Sequence, residues 1–250
     1  GKIKITASLF PQYDFAKQIA RDKADVTLLL PPGTESHTFD PTPTDIMKIS
    51  NSDIFLYTGE NMEPWAGRII SGAKSAKLNI VDVSNGIELL KNKSGHSCSH
   101  HECSGKHEHN YDPHIWLDPT IALKMVDNIK DALCDKDPKN KEFYINNANE
   151  YKEKLKKLDS DIMNYINNAS CKSIVFAGRF AHLYFINRYG LNYKSAFKGC
   201  SSEAEPSVKS ISKIISFIKD NGIKAIYYEE FTEPKIAKSI AEQTGVNFKI

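Results

Sequence analysis

Six of the chain's eight histidines fall within one short stretch, His96 to Asp118, which reads HSCSHHECSGKHEHNYDPHIWLD. Its first part is polar and repetitive, and carries His96, His100, His101, His107 and His109 with Cys98 and Cys103. Its last part sets His114 among aromatic, apolar and acidic residues, Tyr111-Asp-Pro-His-Ile-Trp-Leu-Asp-Pro119. Neutral imidazole is the commonest protein ligand for transition metals. The contrast predicts two uses of it, one loose and one fixed. The loose stretch either collects zinc and passes it to His114, or is a low-affinity chelator with no defined site. Cys98 and Cys103 either add thiolates or pair with each other.

His37 is the second fixed candidate. It follows an apolar run, Asp25 to Leu30, and the breaker Pro31-Pro-Gly33. That places it beyond the C-terminal end of a strand, where open α/β sheets bind their ligands. His114 precedes a helix, on another strand-to-helix connection. Either histidine alone reads as an ordinary structural or surface residue; together on an α/β frame they point to a metal. A metalloenzyme is the competing reading. It needs an open coordination position and a base to activate water. The chain has no HExxH and no GxSxG, so capture and release is favoured over catalysis.

The elements that must position these residues alternate. Strands are predicted at 3–9, 25–30, 53–58 and 78–83, with helices at 12–22, from Thr42 or Thr44 to Ser50, and from Pro64 to about Ala73. The 25–30 run is expected to be buried on both faces. Lys91 to Asn110 has no apolar periodicity and reads as an exposed loop. Pro119 opens a helix with Ile121, Met125, Ile129 and Leu133 on one face. Residues 137–168 carry a long helical pattern, about 50 Å at ~1.5 Å per residue. A second series follows: strand 173–177, helix 179–189 ended by Gly190, strand 193–197, helix 206–219, strand 224–229, helix 234–244 and strand 246–250. The class is therefore α/β with parallel sheets. It divides into an N-terminal lobe at 1–136 (with the histidine-rich loop at 91–110), a rigid connecting helix at 137–168 and a C-terminal lobe at 169–250.

Composition bounds the partners. The chain has 250 residues, 40% of them apolar and 26% charged, with net charge +2 from 33 basic and 31 acidic side chains. These are the proportions of a globular protein with no basic stripe, which argues against nucleic acid. No apolar run approaches the roughly 20 residues of a membrane span. Gly1 reads as a processing scar, consistent with a removed export signal. The strand pattern runs to Ile250, so further residues are expected beyond it. Five scattered cysteines, Cys98, Cys103, Cys134, Cys171 and Cys200, do not make a disulfide scaffold.

Pro32-Gly-Thr-Glu-Ser-His37-Thr-Phe-Asp-Pro-Thr-Pro, Asn51 through Glu63, and Asp112-Pro-His114-Ile-Trp-Leu-Asp-Pro119 resemble the ligand segments of the zinc and manganese solute-binding proteins of bacterial ABC importers, the ZnuA-like group of cluster A-I. The likeness extends through Arg188-Tyr-Gly-Leu191, Glu203-Ala-Glu-Pro-Ser207 and Tyr228-Glu-Glu230. It implies two lobes joined by the long helix, one metal in the cleft between them, and His37 and His114 as ligands from the N-terminal lobe. Zn2+ is the expected metal, because imidazole-rich coordination suits it and Mn2+ prefers more oxygen. The family's third-ligand position falls on Arg179, whose guanidinium has no lone pair to donate. His182, one helical turn on, is the substitute candidate; a partly buried helix histidine is the alternative. The fourth ligand is expected beyond Ile250, and Glu229 and Glu230 are expected to be structural. The resemblance further implies a monomer that delivers metal to a membrane permease. It would act outside the cytoplasm, in the periplasm or as a surface lipoprotein anchored through a cysteine upstream of Gly1. A manganese-specific binder, or a surface zinc buffer or adhesin with the same site, is the alternative.

Overall fold

The computed structural model describes residues 1–72, 77–92, 111–197, 206–230 and 232–250. The histidine-rich segment from His96 to His109 lies outside the described residues, as do Cys200 and Glu203. The chain divides into two compact units. The first comprises Gly1–Leu89 and Ile115–Asp161, the second Leu90–His114 and Ile162–Ile250.

The first unit is built on four parallel strands, β1 (Ile3–Ala7), β2 (Ala24–Leu28), β3 (Ile54–Tyr57) and β4 (Asn79–Asp82), in the order β2-β1-β3-β4. Ile5 aligns with Val26 on one side and Ile54 on the other. Helices α1 (Phe10–Ala20), α2 (Pro43–Ser50), α3 (Ala66–Gly72) and α4 (Pro119–Lys136) accompany them. Each start has a local cause. Pro11 sits in the first turn of α1, where its missing N–H costs nothing. Thr42 and Asp45 form a reciprocal capping box on α2. The Asp118 carboxylate accepts from Thr120 N–H (2.8 Å) and Oγ1 (2.7 Å) to cap α4. On α4 Met125, Ile129 and Leu133 are buried as one stripe. The run at 25–30 is not buried on both faces. β2 is an edge strand, so Asp25 and Thr27 face solvent, while Leu29 and Leu30, just past it, enter the core.

The second unit repeats the plan with β5 (Ser173–Phe176), β6 (Asn192–Ser195), β7 (Ala225–Tyr227) and β8 (Asn247–Lys249), all parallel in the order β6-β5-β7-β8. Its helices are α6 (Leu183–Tyr189), α7 (Val208–Asp220) and α8 (Lys235–Thr244). Ile214 and Ile218 of α7 and Ala237 and Ile240 of α8 pack with Val175 and Ile226 of the sheet. Between the two series runs α5 (Lys141–Asn168), 28 residues and about 42 Å long. Its first half is fastened to α1: Asn147 Nδ2 donates to Ile19 O (2.9 Å) and the rings of Tyr151 and Phe15 meet at 5.6 Å.

A carboxyl group is buried in the first unit. Glu63 is fully enclosed and its carboxylate accepts from Ser8 Oγ (2.5 Å) and from Thr58 N–H (2.9 and 3.1 Å). Gln12 Nε2 donates to Ser8 Oγ and Thr58 Oγ1 behind them. Burial dominates over these donors and pushes the carboxyl from its ordinary 4.5 up to about 8. The unfolded chain then releases this proton at lower pH than the folded one. Stability from Glu63 is therefore complete below about 4.5 and drains away as pH rises to about 8, by at most roughly 1.4 kcal/mol per pH unit. Urea unfolding of the parent and of Glu63→Gln between pH 5 and 9 is expected to show the parent losing stability relative to the variant across that window. Parallel profiles would contradict a raised carboxyl.

Candidate metal centre

His114 is the most constrained of the candidate ligands. It is buried, and Asp112, itself buried, reaches it twice with one oxygen. Asp112 Oδ1 accepts the His114 backbone N–H at 2.9 Å, which tightens the Asp112-Pro113-His114 turn. The same oxygen lies 2.9 Å from Nδ1 of the ring. With the proton on Nδ1, the ring lone pair is on Nε2, the nitrogen that a metal takes. A carboxylate behind the ring both fixes that tautomer and makes the ligand more basic.

His182 belongs to the same unit. The sequence reading put it on a helix with Arg179, one turn apart, and the structure corrects this. α6 begins only at Leu183, and His182 is the residue that precedes it. The reason lies fifty positions away: Glu229 Oε1 accepts from Arg179 N–H (2.7 Å) and from Arg179 Nε–H (3.0 Å). Arg179 thus spends its backbone donor on a carboxylate, and Phe180 packs on Tyr193 with ring centroids 4.4 Å apart. A Cβ on Gly178 would stand 1.7 Å from Glu229 Oε2, so only glycine admits the carboxylate here. Glu229 here holds Arg179 by its backbone and its side chain. Arg179 has no lone pair to offer a metal.

The His182 ring stacks on Phe176, centroids 4.7 Å apart and planes 18° from parallel. Its Nδ1 is buried, with no hydrogen-bond partner among the described residues. Burial first, and then neighbouring His114, holds its pKa below the ordinary 6.5, while Asp112 and Glu229 pull the other way. A half-buried imidazole with one enclosed, unsatisfied nitrogen is the kind of donor a zinc ion completes.

His37 belongs to the first unit, half-buried in the loop after β2. Its flanks are pinned. Trp65 Nε1 donates to Ser36 O (2.8 Å), Ser36 Oγ donates to Met62 Sδ (3.1 Å), and the Phe39 and Trp65 rings meet edge to face at 5.1 Å. His37 N–H donates to Glu35 Oε1 (3.1 Å). Among the described residues no group of three or more His, Cys, Asp and Glu side chains is gathered closely enough to hold a metal. The donors present, three imidazoles with a carboxylate behind one of them, nevertheless suit zinc chemically.

Two parallel α/β units with a long helix between them, and imidazoles on their strand-to-helix loops, are the frame of a metal-specific solute-binding protein. The chain belongs to the ZnuA family, described as zinc-uptake complex component A, periplasmic, whose family model matches residues 5–249. It is 39% identical over 256 residues to the zinc-binding protein AdcA of Streptococcus pyogenes serotype M3, an alignment covering 98% of this chain and 49% of AdcA. The chain therefore spans about half the length of the curated relatives it matches first. The Zn(II)-bound ZnuA-like domain of Streptococcus pneumoniae AdcA superposes with a TM-score of 0.80 at 32% identity, covering 99% of this chain and 86% of that one. A mutant of the laminin-binding adhesin Lmb of Streptococcus agalactiae superposes with a TM-score of 0.85 at 30% identity, covering 99% and 88%.

Removing the Asp112 carboxylate is expected to loosen His114 without removing it. Asp112→Ala should weaken zinc binding by about 10- to 100-fold in competition with a chromophoric chelator. Unchanged affinity would mean that Asp112 does not orient a ligand.

Proposed function

We propose that this chain captures Zn2+ outside the cytoplasm and delivers it to the membrane permease of an ABC importer. His37, His114 and His182 would be the ion's ligands. The zinc is cargo, so no step of catalysis is involved. The observation that carries this reading is the buried His114 ring backed by the Asp112 carboxylate at 2.9 Å. Such a ring is built to present one nitrogen to a metal. An all-imidazole set favours Zn2+ over Mn2+, which wants more oxygen. His96, His100, His101, His107 and His109 would act as an accessory collector ahead of the fixed site.

Placement outside the cytoplasm follows the family description, periplasmic. Among the described residues no helix is long and apolar enough to cross a membrane. We further propose a lipid anchor on a cysteine upstream of Gly1 and action as a monomer. The likeness to the adhesin Lmb favours a second reading, adhesion to laminin from the same fold. Zinc-limited growth of a deletion strain separates the two: the importer role predicts a defect, whereas an adhesin or buffer alone predicts none.

Calorimetry tests the ligands. His37→Ala and His114→Ala are each expected to weaken zinc binding at least about 100-fold, about 2.7 kcal/mol. If both variants bound one zinc as tightly as the parent, the assignment of the site would fall.

A further inference from the structure

Tyr184 is among the most completely buried large side chains, 1% exposed, yet it carries a hydroxyl into the second unit's interior. A phenylalanine would fill the same space, so the hydroxyl's own bonds need explaining. It has one proton to give and accepts besides, and both capacities are used. It donates to Asp112 O (2.5 Å) and accepts from Leu90 N–H (2.9 Å). Asp112 N–H donates in turn to Leu90 O (2.8 Å), and Lys91 pairs antiparallel with Tyr111. Leu90 and Asp112, 22 positions apart in sequence, are thus closed into one ring of hydrogen bonds with the phenol as its third member.

The clamp stands on a rigid support. Leu183 and Ile186, on either side of Tyr184 along α6, pack with Phe176, Phe180 and Leu90. Its output is the residue that holds His114: Asp112 is fixed through its carbonyl by Tyr184 while its carboxylate takes the His114 backbone and ring. We propose that Tyr184 is a positioning residue for zinc capture, its hydroxyl locking Asp112 so that the carboxylate holds His114 in its ligand orientation. The proposal rests on His114 being a zinc ligand. It makes one side chain the link between that ligand's support and the helix that follows His182.

Zinc affinity is to be measured for the parent, His114→Ala, Tyr184→Phe, Asp112→Ala and the Tyr184→Phe, Asp112→Ala double variant. Tyr184→Phe is expected to bind zinc roughly ten-fold more weakly than the parent. It should add no further loss once Asp112 is alanine, because its effect passes through that carboxylate. A second measurement uses the parent alone, in case the phenylalanine variant does not fold. If the clamp favours zinc, zinc must favour the clamp. One equivalent of zinc should therefore slow hydrogen exchange at the Leu90 amide several-fold, an effect absent in His114→Ala. Parent-like affinity of Tyr184→Phe while His114→Ala has lost binding would overturn the proposal and leave the site standing. So would additive losses in the double variant, or a Leu90 amide indifferent to zinc. Parent-like affinity of His114→Ala would remove the site itself, and the proposal with it.

Discussion

One oxygen of Asp112 lies 2.9 Å from two nitrogens of the same residue, the backbone and ring nitrogens of His114. A carboxylate taken out of water is costly unless donors satisfy it. Here the donors come from the histidine it supports, so the cost of burial becomes the means of orientation. Everything nearby serves that pair. The closure of Leu90 onto Asp112 sets where the carboxylate starts, α6 supplies the phenol that braces it, and the turn through Pro113 sets the angle at which the ring leaves the chain. Displacing the carboxylate would leave His114 free to change rotamer and tautomer, and it would no longer offer a fixed lone pair.

The same logic, with different parts, operates at the other candidate ligands. His37 sits half-buried in the loop after β2. It is placed by what grips Ser36 and Phe39, namely Met62 and Trp65 from the turn that Glu63 bolts to β1 and β3. His182 is placed by stacking on Phe176 at the end of β5. In each case the imidazole lies past the C-terminal end of a strand or just before a helix. There the parallel α/β arrangement leaves backbone free of ladder bonds and able to carry function. Two sheets of the same strand pattern, β2-β1-β3-β4 and β6-β5-β7-β8, thus present imidazoles by three local devices.

Much of this was readable before any coordinates. The alternation of apolar runs and breakers located the eight strands of the described residues, and Thr42, Pro119 and Gly190 marked helix ends by ordinary capping chemistry. His37 and His114 stood out by type and by neighbours. What could not be read depended on contacts across sequence. Whether Asp25–Leu30 was central or at an edge depended on strand order. Helix 179–189 lost its first turn to Glu229, a residue that periodicity around Arg179 cannot register. Nothing in the sequence singles out the hydroxyl of Tyr184 or the carboxyl of Glu63; only their burial does, 1% and 0% exposed. The residues around His96 to His109 were legible as chemistry alone.

The central proposal is that His114, backed by the Asp112 carboxylate, binds zinc. It is tested most directly by crystallography of the zinc-loaded protein with data at the zinc absorption edge. The account predicts one anomalous peak about 2.0–2.1 Å from His114 Nε2, with Asp112 still on His114 Nδ1. A peak coordinated only by histidines of the 96–109 segment, with His114 bare, would contradict it.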